Sequence, residues 1–146
     1  MTNKSAFTLI ELLVVIMIIG ILVTIATFGV REAQQSARDG KRKADLEQIS
    51  AGLALYRSEC NQYPGSISFG GDLTGGGSPP VCSGTYINNI PTDPRPGRDY
   101  FYSASGSTFS LCAKLEQDPN PPVDTSGCGG PTDCGTAGAC NWKVSP

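Results

Sequence analysis

The feature that most limits the fold is an apolar run over residues 12–30, LLVVIMIIGILVTIATFGV. Its 19 residues carry no charge, and a helix of that length covers roughly 28 Å, close to the hydrocarbon thickness of a bilayer. A buried core helix would need apolar groups on every side, and the rest of the chain is too short and too polar to supply them. The run therefore predicts a membrane-spanning helix.

The composition changes sharply after this helix. All 11 prolines and all six cysteines lie at position 60 or later, whereas residues 1–59 hold only four of the 18 glycines. Residues 1–59 can therefore form one long helix, and residues 60–146 cannot be mainly helical. The absence of histidine excludes imidazole-based catalysis and histidine-ligated metals, and we expect no enzymatic activity.

The start of the chain differs from an ordinary secretory signal. Only MTNKSA precedes the apolar stretch, and Glu11 lies inside FTLIELLVVI. A carboxylate in a membrane segment is costly unless it lies near the headgroups, is paired or is neutralised. Glu11 is therefore either tolerated near the interface or paired with a cation, for which a newly cut α-amino group is the strongest candidate. Lys4 favours a cytoplasmic N-terminus.

Residues 6–16, AFTLIELLVVI, closely resemble the class III signal of type IV pilins and type II secretion pseudopilins. The resemblance implies cleavage between Ala6 and Phe7 by a prepilin peptidase, N-methylation of Phe7, and pairing of Glu11 with the N-terminal amine of a neighbouring subunit. Two positions depart from the family: alanine replaces the usual glycine before the cut, and Phe28 stands near the place where many pilins have a helix proline. We expect somewhat slower processing and a straighter helix.

The same resemblance divides the chain into four parts. They are a removed leader (1–6), a transmembrane and assembly half of the helix (7–30), an amphipathic half (31–60) and a globular head with a cysteine-rich tail (61–146). The amphipathic half carries an apolar stripe at spacings of three and four residues. The stripe comprises Leu46, Ile49, Leu53, Tyr56 and Cys60.

A basic cluster surrounds Gly40 and comprises Arg38, Lys41, Arg42 and Lys43. We expect it to be a solvated face that meets acidic lipid headgroups or the acids of a neighbouring subunit. A DNA-binding patch is the alternative, although the neighbouring Asp39 and Asp45 weaken it.

The head begins where Asn61–Gly65 ends the helix. Residues 65–80 are rich in glycine and serine and predict an exposed loop, and residues 86–94 resemble the IPxDP stretch of pseudopilins. Two strands are predicted at 99–103 and 108–115, with a turn at 105–107. Alternation over the second strand points one set of side chains at the helix; these are Phe109, Leu111, Ala113 and Leu115.

The cysteine pattern predicts disulfides rather than a metal site, because neither a CxxC pair nor a histidine is present. The candidates are Cys60, Cys82, Cys112, Cys128, Cys134 and Cys140. We expect Cys60 to pair with Cys82 and Cys112 to pair with a tail cysteine. No cofactor is expected. Calcium, which major pseudopilins hold in a comparable loop, remains an alternative for Asp118, Asp124 and Asp133, although loop polarity alone explains these acids.

The predicted fold is therefore α+β, the pilin fold: a long N-terminal helix packed on a small antiparallel β-sheet head with disulfide-stapled loops. The resemblance implies a structural subunit of a type IV pilus-like filament serving adhesion, motility or DNA uptake. The alternatives are the major pseudopilin of a type II secretion system and a minor pilin that binds DNA or a surface.

The partners implied are other copies of the chain, the prepilin peptidase, an inner-membrane platform protein and an assembly ATPase. The chain would cross the inner membrane once, with its N-terminus cytoplasmic, before it enters a periplasmic or extracellular filament.

Overall fold

A computed structural model describes residues 7–76 and 82–146. The predicted α+β architecture is confirmed, with one long helix, two small antiparallel sheets and disulfides. The elements are α1 (Leu9–Cys60), β1 (Leu73–Thr74), β2 (Thr85–Ile87), β3 (Phe101–Ser105), β4 (Thr108–Ala113), a 3-10 turn (Gly135–Ala137) and β5 (Trp142–Val144). The leader 1–6 and loop residues 77–81 lie outside the described residues.

The chain forms two compact units, Met1–Ser36 and Ala37–Pro146. The first contains the apolar part of α1, where the most apolar stretch has a mean hydropathy of 3.0 and is long enough to cross a membrane. The hydroxyls in this stretch bond within the helix: Thr24 donates to the carbonyl of Ile21 at 2.7 Å and Thr27 donates to that of Thr24 at 2.8 Å. These polar groups therefore need no partner outside the helix.

The second unit is the head, and its core lies between the apolar stripe of α1 and the strands. Every residue of the predicted stripe is buried. The helix ends at Cys60 because Asn61 adopts a left-handed conformation (φ 58°) and its N–H donates to the carbonyl of Arg57 at 2.9 Å. This is the helix end expected from the sequence.

The head has two sheets. β3 and β4 form the predicted hairpin, and β5 extends it into a three-stranded sheet in the order β3-β4-β5. The four inward-facing residues predicted from the alternation are buried. β1 and β2 form a second, two-stranded sheet in which Leu73 faces Ile87.

The prediction of an exposed loop over residues 65–80 is wrong at Leu73, which is only 4% exposed. Leu73 packs in the head core because its strand pairs with β2.

The disulfides are Cys60–Cys82, Cys112–Cys128 and Cys134–Cys140. The first is the expected pair, and the second joins Cys112 to the tail as expected. The third closes a short loop within the tail.

Candidate functional site

The N-terminal candidate site consists of Phe7, Thr8 and Glu11. Phe7 is 83% exposed and precedes the helix. The Thr8 hydroxyl accepts a hydrogen bond from the Glu11 N–H at 3.3 Å, as a capping threonine does. Thr8-x-x-Glu11 has the spacing of a capping box, a sequence signal that would have identified Thr8 as the start of the helix. Ala6, the other predicted processing residue, lies outside the described residues.

Glu11 lies in the first turn of α1, with its side chain exposed. The helix N-terminus carries partial positive charge, which favours a carboxylate there. For the same reason, an ammonium group next to this helix end is disfavoured unless a carboxylate compensates it.

The surface around this site is apolar on all sides. Every residue from Phe7 to Thr27 is exposed; among them, Leu9 is 82% exposed and Ile16 61%. An apolar surface of this extent marks a membrane or protein interaction site.

The head contains a buried ion network centred on Arg42, whose side chain is fully buried. Its guanidinium donates two bonds to Asp93, at 2.7 and 2.9 Å, and one to Asp39 at 2.7 Å. Burial acts to lower the pKa of Arg42, but the hydrogen bonds to Asp93 and Asp39 raise it above the ordinary value. Arg42 is therefore a permanent charge that joins the helix to the loop before β3.

The network extends to the segment after β4 through Glu116. Arg38 donates two bonds to the Glu116 carboxylate, at 2.6 and 2.7 Å, and Arg95 lies 3.3 Å from it. The hydrogen bond from Arg38 is the main cause that lowers the pKa of Glu116 to about 2. Asp39 in turn accepts the backbone N–H groups of Glu116 and Gln117, both at 2.9 Å.

The structure corrects the prediction for the basic cluster. Arg42 and Arg38 do not form a free solvated face, because both bind acids of the same chain. Lys41 pairs with Asp45 at 3.1 Å, and the Lys43 ammonium lies 4.4 Å from the centre of the Trp142 ring. All four cations have intramolecular partners, and Arg42 is fully buried, whereas the Lys41 side chain is still 54% exposed.

The acids of the tail accept hydrogen bonds from the chain itself. Asp118 accepts hydrogen bonds from Asn141 at 2.7 Å and Lys114 at 3.3 Å. Asp124 accepts two from Ser126, and Asp133 accepts one from the backbone N–H of Gly130. N–H, hydroxyl and ammonium donors of the chain thus contact oxygens of all three carboxylates. Across residues 7–76 and 82–146, no three acidic, cysteine or histidine side chains converge as a metal site.

An exposed apolar helix, a capped N-terminus with Glu11 in its first turn, and a compact head together define a pilin-like subunit. Comparison with known families agrees: residues 1–27 match the prokaryotic N-terminal methylation motif. Residues 29–116 match the family described as type II secretion system protein G. The chain belongs to this type II secretion system protein G family.

Similar proteins carry the same description. The type II secretion system core protein G of Pseudomonas aeruginosa is 32% identical over 110 residues, which span 72% of this chain and 77% of that protein. The protein of the same name from Aeromonas hydrophila is 30% identical over 97 residues, spanning 63% of this chain and 68% of that protein. No solved structure matches the chain.

Proposed function

We propose that this chain is the major pseudopilin of a type II secretion system, a structural subunit that polymerises into a periplasmic filament. The observation that carries the proposal is the family match over residues 29–116, which spans the second part of α1 and the head as far as Glu116. The similar proteins named core protein G support it. The comparisons thus favour the pseudopilin alternative over the pilus subunit that the N-terminal signal first suggested.

Maturation would create the charge that assembly uses. Cleavage between Ala6 and Phe7 leaves an α-ammonium on Phe7, which the prepilin peptidase methylates. This ammonium lies two residues before a capped helix, whose positive end disfavours it. A Glu11 carboxylate from a neighbouring copy compensates both the ammonium and the helix end. Because an unpaired charge in lipid is heavily penalised, the pair fixes the register between copies.

The exposed apolar part of α1 would be buried first in the membrane and then in the filament. It anchors the chain in the inner membrane, N-terminus inside, and later packs against other copies within the filament. The peptidase, the platform protein and the assembly ATPase act on it during this transfer. The role is structural and requires neither catalysis nor a cofactor.

Glu11→Gln tests the assembly step, because it removes the charge and keeps the side-chain shape. We expect the variant to be cleaved and inserted normally, while filaments and secretion are lost. Glu32→Gln is the matched control, since Glu32 is an exposed glutamate of the same helix, and it should assemble normally. Measurements are membrane fractionation, immunoblotting of sheared filaments and assay of the secreted proteins. Normal filaments from Glu11→Gln would contradict the pairing.

Deletion of the gene distinguishes a secretion subunit from a pilus subunit. We expect secreted proteins to accumulate in the periplasm while surface pili remain. Loss of surface pili with intact secretion would overturn the proposal. Mass spectrometry of assembled protein should show an N-terminal methylated Phe7.

A further inference from the structure

The tail after Glu116 has an unusual interior. Of residues 117–146, all of which the structure describes, the buried ones are Cys128, Cys134 and Cys140. Together with Cys112 of β4 they form a second core, against which Phe101 packs. This second core therefore consists of two disulfides and the Phe101 ring that packs against them.

The first core has a different composition. It lies between α1 and the inner face of β4 and contains fourteen buried residues, among which the Cys60–Cys82 disulfide is one element beside aliphatic and aromatic side chains. β4 separates the two cores because neighbouring residues point to opposite faces. Leu111 belongs to the first core, and Cys112 belongs to the second.

The end of the tail belongs to the first core, because β5 pairs with β4 and Trp142 and Val144 pack against that core. The remaining attachments, those of residues 117–141, are polar. The Asn141 side chain accepts from the N–H of Leu115 at 2.6 Å, and the Asn141 N–H donates to the carbonyl of Ala113 at 3.0 Å. The Thr136 N–H donates to the carbonyl of Gly97 at 2.7 Å. Water competes for such bonds, so each contributes little net stability. Residues 117–141 thus have little apolar burial to hold them if the disulfides are absent.

We propose that residues 117–141 form a tail layer that depends on oxidation: it covers the outer face of the β3-β4 sheet only when Cys112–Cys128 and Cys134–Cys140 have formed. The helix–sheet core stands without these bridges. Each bridge forms when two thiols transfer two electrons and two protons to a disulfide-carrying oxidant, which leaves as a dithiol. The layer lies beyond the family match, which ends at residue 116.

This inference adds a step to the proposed function. The proposed topology places the head outside the cytoplasm; there its first core can form first, and the tail layer closes over the sheet only after an oxidant has formed its bridges. The timing rests on the proposed export, whereas the dependence of the tail on oxidation does not and can be measured on purified protein.

The one tryptophan, Trp142, lies in β5 and packs against the first core, so its emission reports that core. The experiment uses the full chain in detergent micelles. The four tail-core cysteines are replaced by alanine in one variant, and the matched control carries Cys60→Ala and Cys82→Ala. Tryptophan emission reports the first core, and hydrogen exchange reports residues 46–56 of that core and residues 128–141 of the tail layer separately.

We expect the tail variant to show at least about tenfold faster exchange at residues 128–141, with unchanged tryptophan emission and residues 46–56 still protected. Reduction of the native chain should reproduce this, with thiol titration confirming that the tail bridges are open. The control should keep its slow exchange at residues 128–141. Equally slow exchange at residues 128–141 with the tail bridges open would overturn the proposal. So would loss of protection at residues 46–56 in the tail variant, since the two layers would then not be separate.

Discussion

The two parts of α1 have the same backbone conformation but opposite surroundings. Ile16, in the first unit, is 61% exposed, whereas Ile49, in the head, is fully buried. In both parts the local sequence favours a helix, but only residues 37–60 find their apolar cover within the same chain. The exposed apolar side chains of the first unit therefore mark the surface that lipid or a second copy of the chain has to bury.

The largest effect that tests this contrast is expected for Arg42→Ala. The substitution leaves the buried carboxylates of Asp39 and Asp93 without their cation, which should lower the free energy of unfolding of the head by about 3–5 kcal/mol. Arg31→Ala is the control from the exposed part of α1 and should change it by less than about 0.5 kcal/mol. Urea unfolding of the full chain in detergent measures both. Equal losses in the free energy of unfolding from Arg42→Ala and Arg31→Ala would contradict the difference between the two parts of α1.

The isoleucine pair gives the next effect. Ile49→Ala creates a cavity in the head core and should lower the free energy of unfolding by about 2–5 kcal/mol. Ile16→Ala should leave this value unchanged and reduce only filament yield, because Ile16 lacks cover within its own chain. If Ile16→Ala lowers the free energy of unfolding of the isolated subunit as much as Ile49→Ala does, then Ile16 is already covered within its own chain and needs no external partner.

Acid should act on the head through Glu116. Its pKa of about 2 lies below the ordinary 4.5, so the folded state favours the ionised form. The stabilisation is fully present above about pH 4.5 and is lost as the pH falls toward 2. Between about pH 7 and pH 3, protonation of Glu116 should lower the free energy of unfolding by about 2 kcal/mol. Urea midpoints of the native chain and Glu116→Gln should converge as the pH falls, and a constant gap would contradict the assignment.

The smallest effect concerns glycines of the same helix. A Cβ at Gly52 would overlap the side chain of Ile87, whereas a Cβ at Gly20 would meet nothing within 4 Å. Gly52→Ala should therefore destabilise the head by about 1 kcal/mol or more, through overpacking. Gly20→Ala should leave head stability unchanged. Thermal unfolding of the two variants side by side distinguishes them, and equal midpoints would show that α1 can shift away from β2.

The sequence predicted the elements whose signal is local. The apolar run, the stripe from Leu46 to Cys60 and the β3-β4 hairpin each follow from periodicity within a few residues. The role of Arg42 could not be predicted in this way, since its partners Asp93 and Glu116 lie 51 and 74 residues away. β1 and β5 have two and three residues, too few for a recognisable alternation. At the N-terminus, Thr8 carried a usable signal in its spacing to Glu11.

The ion network has a consequence for any assembly of many copies. Three arginines, Arg38, Arg42 and Arg95, are matched by three carboxylates, Asp39, Asp93 and Glu116. A repetitive array multiplies every uncompensated charge of its building block, and repulsion between adjacent copies grows accordingly. An electroneutral cluster adds nothing to that repulsion. Repulsion between adjacent heads, and its dependence on ionic strength, therefore comes from the charges outside this cluster.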